Sequence, residues 1–344
     1  KEILHLLSIF FVLAAPAPAL APPNRTGRGC PPLYREAFVL SGYRPVGLPW
    51  RCYVLSLFQI HNDSVKVWCP LLAALYVATR LLLFVVLQGG VSIVFYTHKT
   101  YYLQPLGMCF LSLSLAAALL LHPRSEPVRL SLFLLDSAGR GLHQFGRALA
   151  LSVYSSDADW TDSIMGQLYL PAAAVLSWLS CTAGCCGELF PRHCDLSHRR
   201  LLQMGPMSLA FLLDISPVAQ RLYSCPWSSS TAVLLHVLHF VLQVVLFLTA
   251  AFFLLCPVPE CLSPGRFDIA GHSGQLSLVL LTLSTVSQQE ALLRDFSWRR
   301  AGVVRRFGEE YLLKACAGFI AVTLSLPATA LVLRRCGILA RSTR

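Results

Sequence analysis

The chain has 344 residues, of which 55% are hydrophobic and only 13% charged, with a formal net charge of +11. A mean hydropathy of +0.60 excludes a soluble globular protein of this length. The basic residues lie between and beside apolar runs, where they meet anionic headgroups, and this excludes a nucleic-acid partner.

In chain order, residues 1–30 read as a divergent or signal-like N-terminus: Ile3 to Leu20 is an apolar core, closed by a run of small residues and prolines. A pre-membrane segment follows over residues 31–66. Crossing about 30 Å of hydrocarbon takes roughly 20 apolar helical residues, and runs of that kind are expected at 67–87, 103–121, 130–154, 164–186, 201–218, 231–256, 275–293 and 312–333. The expected fold class is therefore an all-α integral membrane protein, a seven-helix bundle plus an eighth C-terminal transmembrane helix. Residues 67–333 form the bundle and 334–344 a basic tail. The third and fifth runs are unusual. One carries Asp136, Arg140 and Arg147, the other Pro206, Asp214 and Pro217, and only a helix shielded by its neighbours holds such residues in a bilayer.

Lys and Arg are denser on the side of the N-terminus, which predicts a cytoplasmic N-terminus, with the loop carrying Arg299, Arg300, Arg305 and Arg306 as the discordant piece. On that reading the sequons at Asn24 and Asn62 are unmodified. Of thirteen Cys, Cys69, Cys109, Cys181 and Cys316 fall in apolar runs where thiols act as small hydrophobes. Free thiols are expected throughout, with Cys185, Cys186 and Cys194 as candidate palmitoylation sites.

Asp136, Arg140, His143, Gln144 and Arg147 recur at steps of three and four and so share one helical face. An unpaired charge in the membrane costs about 2.5–3.5 kcal/mol on insertion scales, so the stripe faces the bundle interior. It reads as a ligand-lining seam in which Arg147 and Gln144 bind a ketone, hydroxyl or anionic headgroup. The plainer reading is that Arg140 neutralises Asp136, Arg147 snorkels and the stripe only holds helices together. Arg80 is expected to reach a membrane face or a carboxylate such as Asp214, and Asp214 and Glu290 are candidate partners for Arg140 or Arg147. His236 and His239, three apart, read as packing or hydrogen-bonding residues before a metal pair.

The stretch Pro264-Gly-Arg-Phe-Asp-Ile-Ala-Gly-His-Ser-Gly-Gln-Leu-Ser-Leu278 closely resembles the signature that opens the seventh membrane helix of the progestin and adiponectin receptor family. Further similar stretches are Pro32-Leu-Tyr-Arg-Glu36, Ser41-Gly-Tyr-Arg-Pro45, Leu57-Phe-Gln-Ile-His-Asn62, Phe133-Leu-Leu-Asp136, Asp214-Ile-Ser-Pro-Val-Ala-Gln220 and Cys256-Pro-Val-Pro-Glu260. The resemblance runs from Pro31 onward and leans to the family's progestin-receptor branch. It implies a plasma-membrane steroid receptor that signals rapidly through heterotrimeric G proteins, with a steroid or lipid ligand and membrane lipids as partners.

Adiponectin-receptor relatives imply the alternative, a zinc-dependent lipid amide hydrolase, and a degenerate paralogue that does neither is the third reading. Family zinc ligands map to Ala118 or Leu119, Gly274 and Leu278, none of which is a donor, while Asp136 is retained. No cofactor is therefore expected, and hydrolase chemistry is disfavoured. His122 reads as an interfacial residue. His272 and Gln275 join Asp136, Arg140, Gln144 and Arg147 as candidate ligand-binding residues.

Overall fold

A computed structural model describes residues 31, 34–87, 99–189, 196–224 and 231–342. A short helix α1 (Trp50–Leu55), continued by a 3-10 turn, precedes the long helices α2 (Ser64–Leu87), α3 (Lys99–Leu121) and α4 (Glu126–Ala150). A π-helical turn, Leu151–Ser155, and the short α5 (Ala158–Asp162) lead to α6 (Ile164–Leu189), α7 (Leu196–Ser224) and α8 (Thr231–Leu255). The final run Ser273–Ser342 is broken at Gly308, whose φ of 72° and ψ of 159° divide it into α9 (273–307) and α10 (309–342). The described residues form no β-strand.

Each of the eight apolar runs coincides with one helix, and the differences lie at their ends. The third begins a turn early, at Glu126, because Ser125 occupies the N-cap and Pro127 fits the first turn. The fifth and eighth extend past the apolar residues at both ends, since helix continues where hydrocarbon stops.

Among the described residues, seven helices are long and apolar enough to cross a membrane: α2, α3, α6, α7, α8, α9 and α10. The polar α4 is the exception, and packing explains how it survives. Leu130, Leu134 and Ala138 pack with Cys181 and Cys185 of α6 and with Leu326 and Ala330 of α10. Two turns further on, Phe145, Ala148 and Leu149 meet Tyr169 and Ala173 of α6 and Phe319 of α10. Ala150 joins Tyr102 of α3 and Leu292 and Phe296 of α9. With neighbours on these sides, Asp136, His143, Gln144 and Arg147 are kept from lipid, while the Arg140 side chain stays 35% exposed.

Candidate functional site

Polar side chains inside the bundle gather in a seam along α4, from Asp136 to Arg147 in its last turn, and in a cap at the end where α3 finishes and α2 and α9 begin. In the seam, Arg140 Nη1 lies 3.0 Å from Asp136 Oδ2, and its Nη2 donates to Ser137 Oγ at 2.8 Å. Arg140 thus serves its own helix. Arg147 instead reaches across: it pairs with Asp214 of α7, and its Nη1 donates to Gln288 Oε1 of α9 at 2.8 Å. The Tyr169 hydroxyl of α6 donates to the other Asp214 oxygen at 3.0 Å. Four helices therefore share one buried ion pair. Arg80 does not reach Asp214: its Nε donates to Glu290 Oε1 at 2.9 Å, and the Tyr76 hydroxyl donates to the same oxygen at 2.6 Å. One turn along α2 is all that separates Tyr76 and Arg80, so Glu290 can take both.

Arg147 and Asp214 also line a cavity of about 40 Å³, together with Gln104 of α3, Gln243 of α8 and Gln288. Its apolar walls include Leu151, Ile215, Val218 and Phe240. A water needs about 10–15 Å³ measured in this way, so the space as it stands holds a few waters. Gln104 is only 1% exposed, and its Oε1 has no hydrogen-bond partner among the described residues. Arg147 Nε and both ring nitrogens of the buried His143 are in the same condition. Gln144 is buried beside them with its Nε2 free. Gln104, Gln243 and Gln288 escaped the sequence reading, although an amide inside an apolar run was the signal that could have found them.

The other two candidates, His272 and Gln275, sit in the cap. Gln275 Nε2 donates to the carbonyls of Asn62 and Ile269, both at 2.8 Å, and its Oε1 accepts from the Gly271 N–H at 2.7 Å. Glu260 accepts from the Ser273 backbone N–H at 2.8 Å and from its hydroxyl, so α9 opens on a carboxylate that complements its dipole. His272 is fully buried, with Nδ1 3.5 Å from Glu36 Oε2. Burial, reinforced by Lys66, holds its imidazole below its ordinary pKa, so it is neutral. These contacts close the bundle end, and the structure does not bring His272 and Gln275 into the cavity that Arg147 lines.

His122 stands just past the end of α3, where its Nδ1 donates to the Leu119 carbonyl at 2.9 Å and its Nε2 is 3.8 Å from Asp63. Asn62 is 2% exposed, buried against glycosylation in this fold. His239 hydrogen-bonds Ser287 Oγ at 3.2 Å, and the side chain of His236 lies outside the described ones. The ten described cysteines are free; Cys186 is exposed, but Cys185 is buried and so is no acceptor for a lipid chain. Cys194 lies outside the described residues.

Zinc, which the family resemblance implies, can be tested against these side chains. Gly274 and Leu278 offer no donor, and a Cβ at Gly274 would lie 3.5 Å from Lys66 Cε, so any larger side chain there competes with the lysine. Asp136 faces Arg140, with Glu188 of α6 as its other charged neighbour. This set does not fit a four-coordinate ion that needs several strong N, S or O donors.

Crossing helices wrapped around a polar, shielded interior define a multi-pass integral membrane protein. The sequence profile described as "Haemolysin-III related" matches residues 58–288. The chain is 38% identical over 306 residues to a membrane progestin receptor beta of Sus scrofa, covering 88% of this chain and 85% of that one. It is likewise 38% identical over 307 residues to the human membrane progestin receptor beta, with the same coverage, and 38% over 274 residues to the human membrane progestin receptor alpha, covering 78% and 76%. The chain belongs to the haemolysin-III-related family, in its progestin and adiponectin receptor branch.

Proposed function

We infer that the protein is a plasma-membrane progestin receptor, signalling through heterotrimeric G proteins from a cytoplasmic N-terminal face, and that it works without zinc and without hydrolase chemistry. The observation that carries this reading is the match to relatives named membrane progestin receptors over 88% of the chain. The interior supports it. Arg147 and Gln288 bring N–H donors to the cavity, where a steroid ketone would accept, and Leu151, Ile215, Val218 and Phe240 offer apolar walls to the rings. The cavity is smaller than a steroid, so entry requires α8, which carries Phe240 and Gln243 on its wall, to move. The basic N-terminal flank supports the orientation.

Saturable binding of radiolabelled progesterone to the purified protein in nanodiscs tests the reading. Gln243→Leu and Gln288→Leu each remove a polar contact worth about 0.5–1.5 kcal/mol, so each is expected to weaken binding by roughly two- to tenfold. No saturable binding, or affinity untouched by both changes, would sink the reading.

A further inference from the structure

The cap also contains an ionic system that takes no part in holding a steroid. Arg44, from the segment before α1, is 5% exposed, and its Nη2 lies 3.1 Å from Asp63 Oδ2. The same guanidinium donates to the carbonyls of Leu119 at 2.7 Å and Leu120 at 2.9 Å, where the C-terminal end of α3 presents its partial negative charge. Lys66, in the first turn of α2, is 8% exposed; its Nζ binds Glu36 and lies 3.8 Å from Asp63 Oδ1. Glu36 also faces His272 at the head of α9. Two cations and two carboxylates thus tie α2, α3, α9 and the pre-membrane segment together, with formal charge balanced.

Gly274 makes room for this arrangement. A Cβ built there would stand 3.4 Å from His272 Nδ1 and 3.5 Å from Lys66 Cε. A methyl fits that space, but an imidazole would have to take the volume in which the lysine stem lies. A divalent ion beside Gly274 would meet Lys66, whose counter-charges Glu36 and Asp63 are already engaged, and like charges at close range repel.

We propose that the Arg44–Asp63–Lys66–Glu36 clasp holds this end of the bundle with fixed protein charges where the family's metal would otherwise bind, so that the fold is independent of metal and Gly274 exists to seat Lys66. The proposal rests on family membership and the metal-free part of the reading above, and it stands or falls separately from the steroid.

The test uses the full chain in nanodiscs, with thermal unfolding and elemental analysis as readouts. Wild type is expected to carry no stoichiometric zinc and to keep its Tm when a chelator or excess zinc is added. Lys66→Met should lower the Tm by several degrees. Glu36→Gln, a milder change at a half-exposed partner, should lower it less and serves if Lys66→Met fails to fold. Gly274→Ala should be tolerated, whereas Gly274→His should destabilise. In the Lys66→Ala background the Gly274→His penalty should largely vanish, because the two side chains compete for one volume. Stoichiometric zinc with a chelator-induced fall in Tm would overturn the proposal, as would additive effects at positions 66 and 274.

Discussion

Arg147 places a guanidinium in the last turn of α4, inside an apolar bundle, and its neighbours determine the consequence of losing any one of them. Asp214 is its counter-ion, and removing one member of a buried pair leaves the other charge uncompensated. Asp214→Leu is therefore expected to destabilise by about 3–5 kcal/mol, read as a large fall in Tm of the purified protein. Tyr169→Phe removes only a hydrogen bond and should cost about 0.5–1.5 kcal/mol. Equal effects would mean that the pair is not the organising contact. The cap makes a prediction in pH instead. Burial, then Arg44, holds the His61 imidazole at about 3; burial, partly opposed by Asp63, holds His122 at about 4. His61 Nδ1 accepts from the Asp63 N–H at 3.1 Å, which requires the ring to be neutral. In the unfolded chain both titrate near pH 6.5, so between those values it binds more protons than the folded one. Stability is full above about pH 6.5 and falls toward pH 4 by up to about 1.4 kcal/mol per histidine per unit. His122→Asn, which keeps a donor for the Leu119 carbonyl, should flatten the dependence of Tm on pH between 6.5 and 4.5; an unchanged slope would refute the assignment.

Helix α4 shows what an element's sequence does and does not disclose. The spacing of Asp136, Arg140, His143, Gln144 and Arg147 placed them on one face, and the cost of lipid exposure turned that face inward. Which neighbour each would meet was not legible, because pairing depends on the rotation of α6, α7 and α9, and a chain's own periodicity carries no information about that. The glycines of α4 were the unread signal. A Cβ on Gly141 would lie 2.8 Å from the Ser177 carbonyl oxygen of α6 and 3.0 Å from the Leu326 methyls of α10, so backbone and side chain both stand in the way. Gly141→Ala is expected to cost about 1–3 kcal/mol through overpacking, seen as a lower Tm. Gly308 differs: nothing lies within 4 Å of its would-be Cβ, but its φ of 72° with extended ψ is a conformation nearly restricted to glycine. Gly308→Ala should therefore cost about 1–3 kcal/mol through the backbone alone. Gly302→Ala, in helical backbone with equally open space, should be neutral or stabilising, and equal penalties at the two positions would show that the break at 308 is not needed.

Across the whole molecule, hydropathy made the number and order of long helices legible, since each must bridge a fixed apolar thickness. It left the partners of α4 and the cap obscure, because residues such as Glu36, Arg44 and Lys66 are close only after the bundle has formed. That dependence bears on α10, whose exposed Leu324 and Leu331 make it look peripheral. Its other face carries Phe319 and the fully buried Leu326, packed on Phe145 and Ala138 of α4 and against its glycines. Lipid is as apolar as leucine, so α10 is held there by fit and by what its absence would expose. Without it, one flank of α4 would face hydrocarbon at a cost of about 2.5–3.5 kcal/mol for each charge that cannot repartner. Truncation after residue 308 should therefore abolish a monodisperse peak in fluorescence-detected size exclusion, although the other six crossing helices remain. Co-expressing 309–344 as a separate span should restore the peak, since an apolar helix inserts by itself and then docks. Leu326→Ala in the separate span should weaken rescue, whereas Leu324→Ala should leave it intact. A truncated chain that stays monodisperse would mean that α4 is shielded without α10, and the account of its buried stripe would have to be rebuilt around α3, α6 and α9 alone.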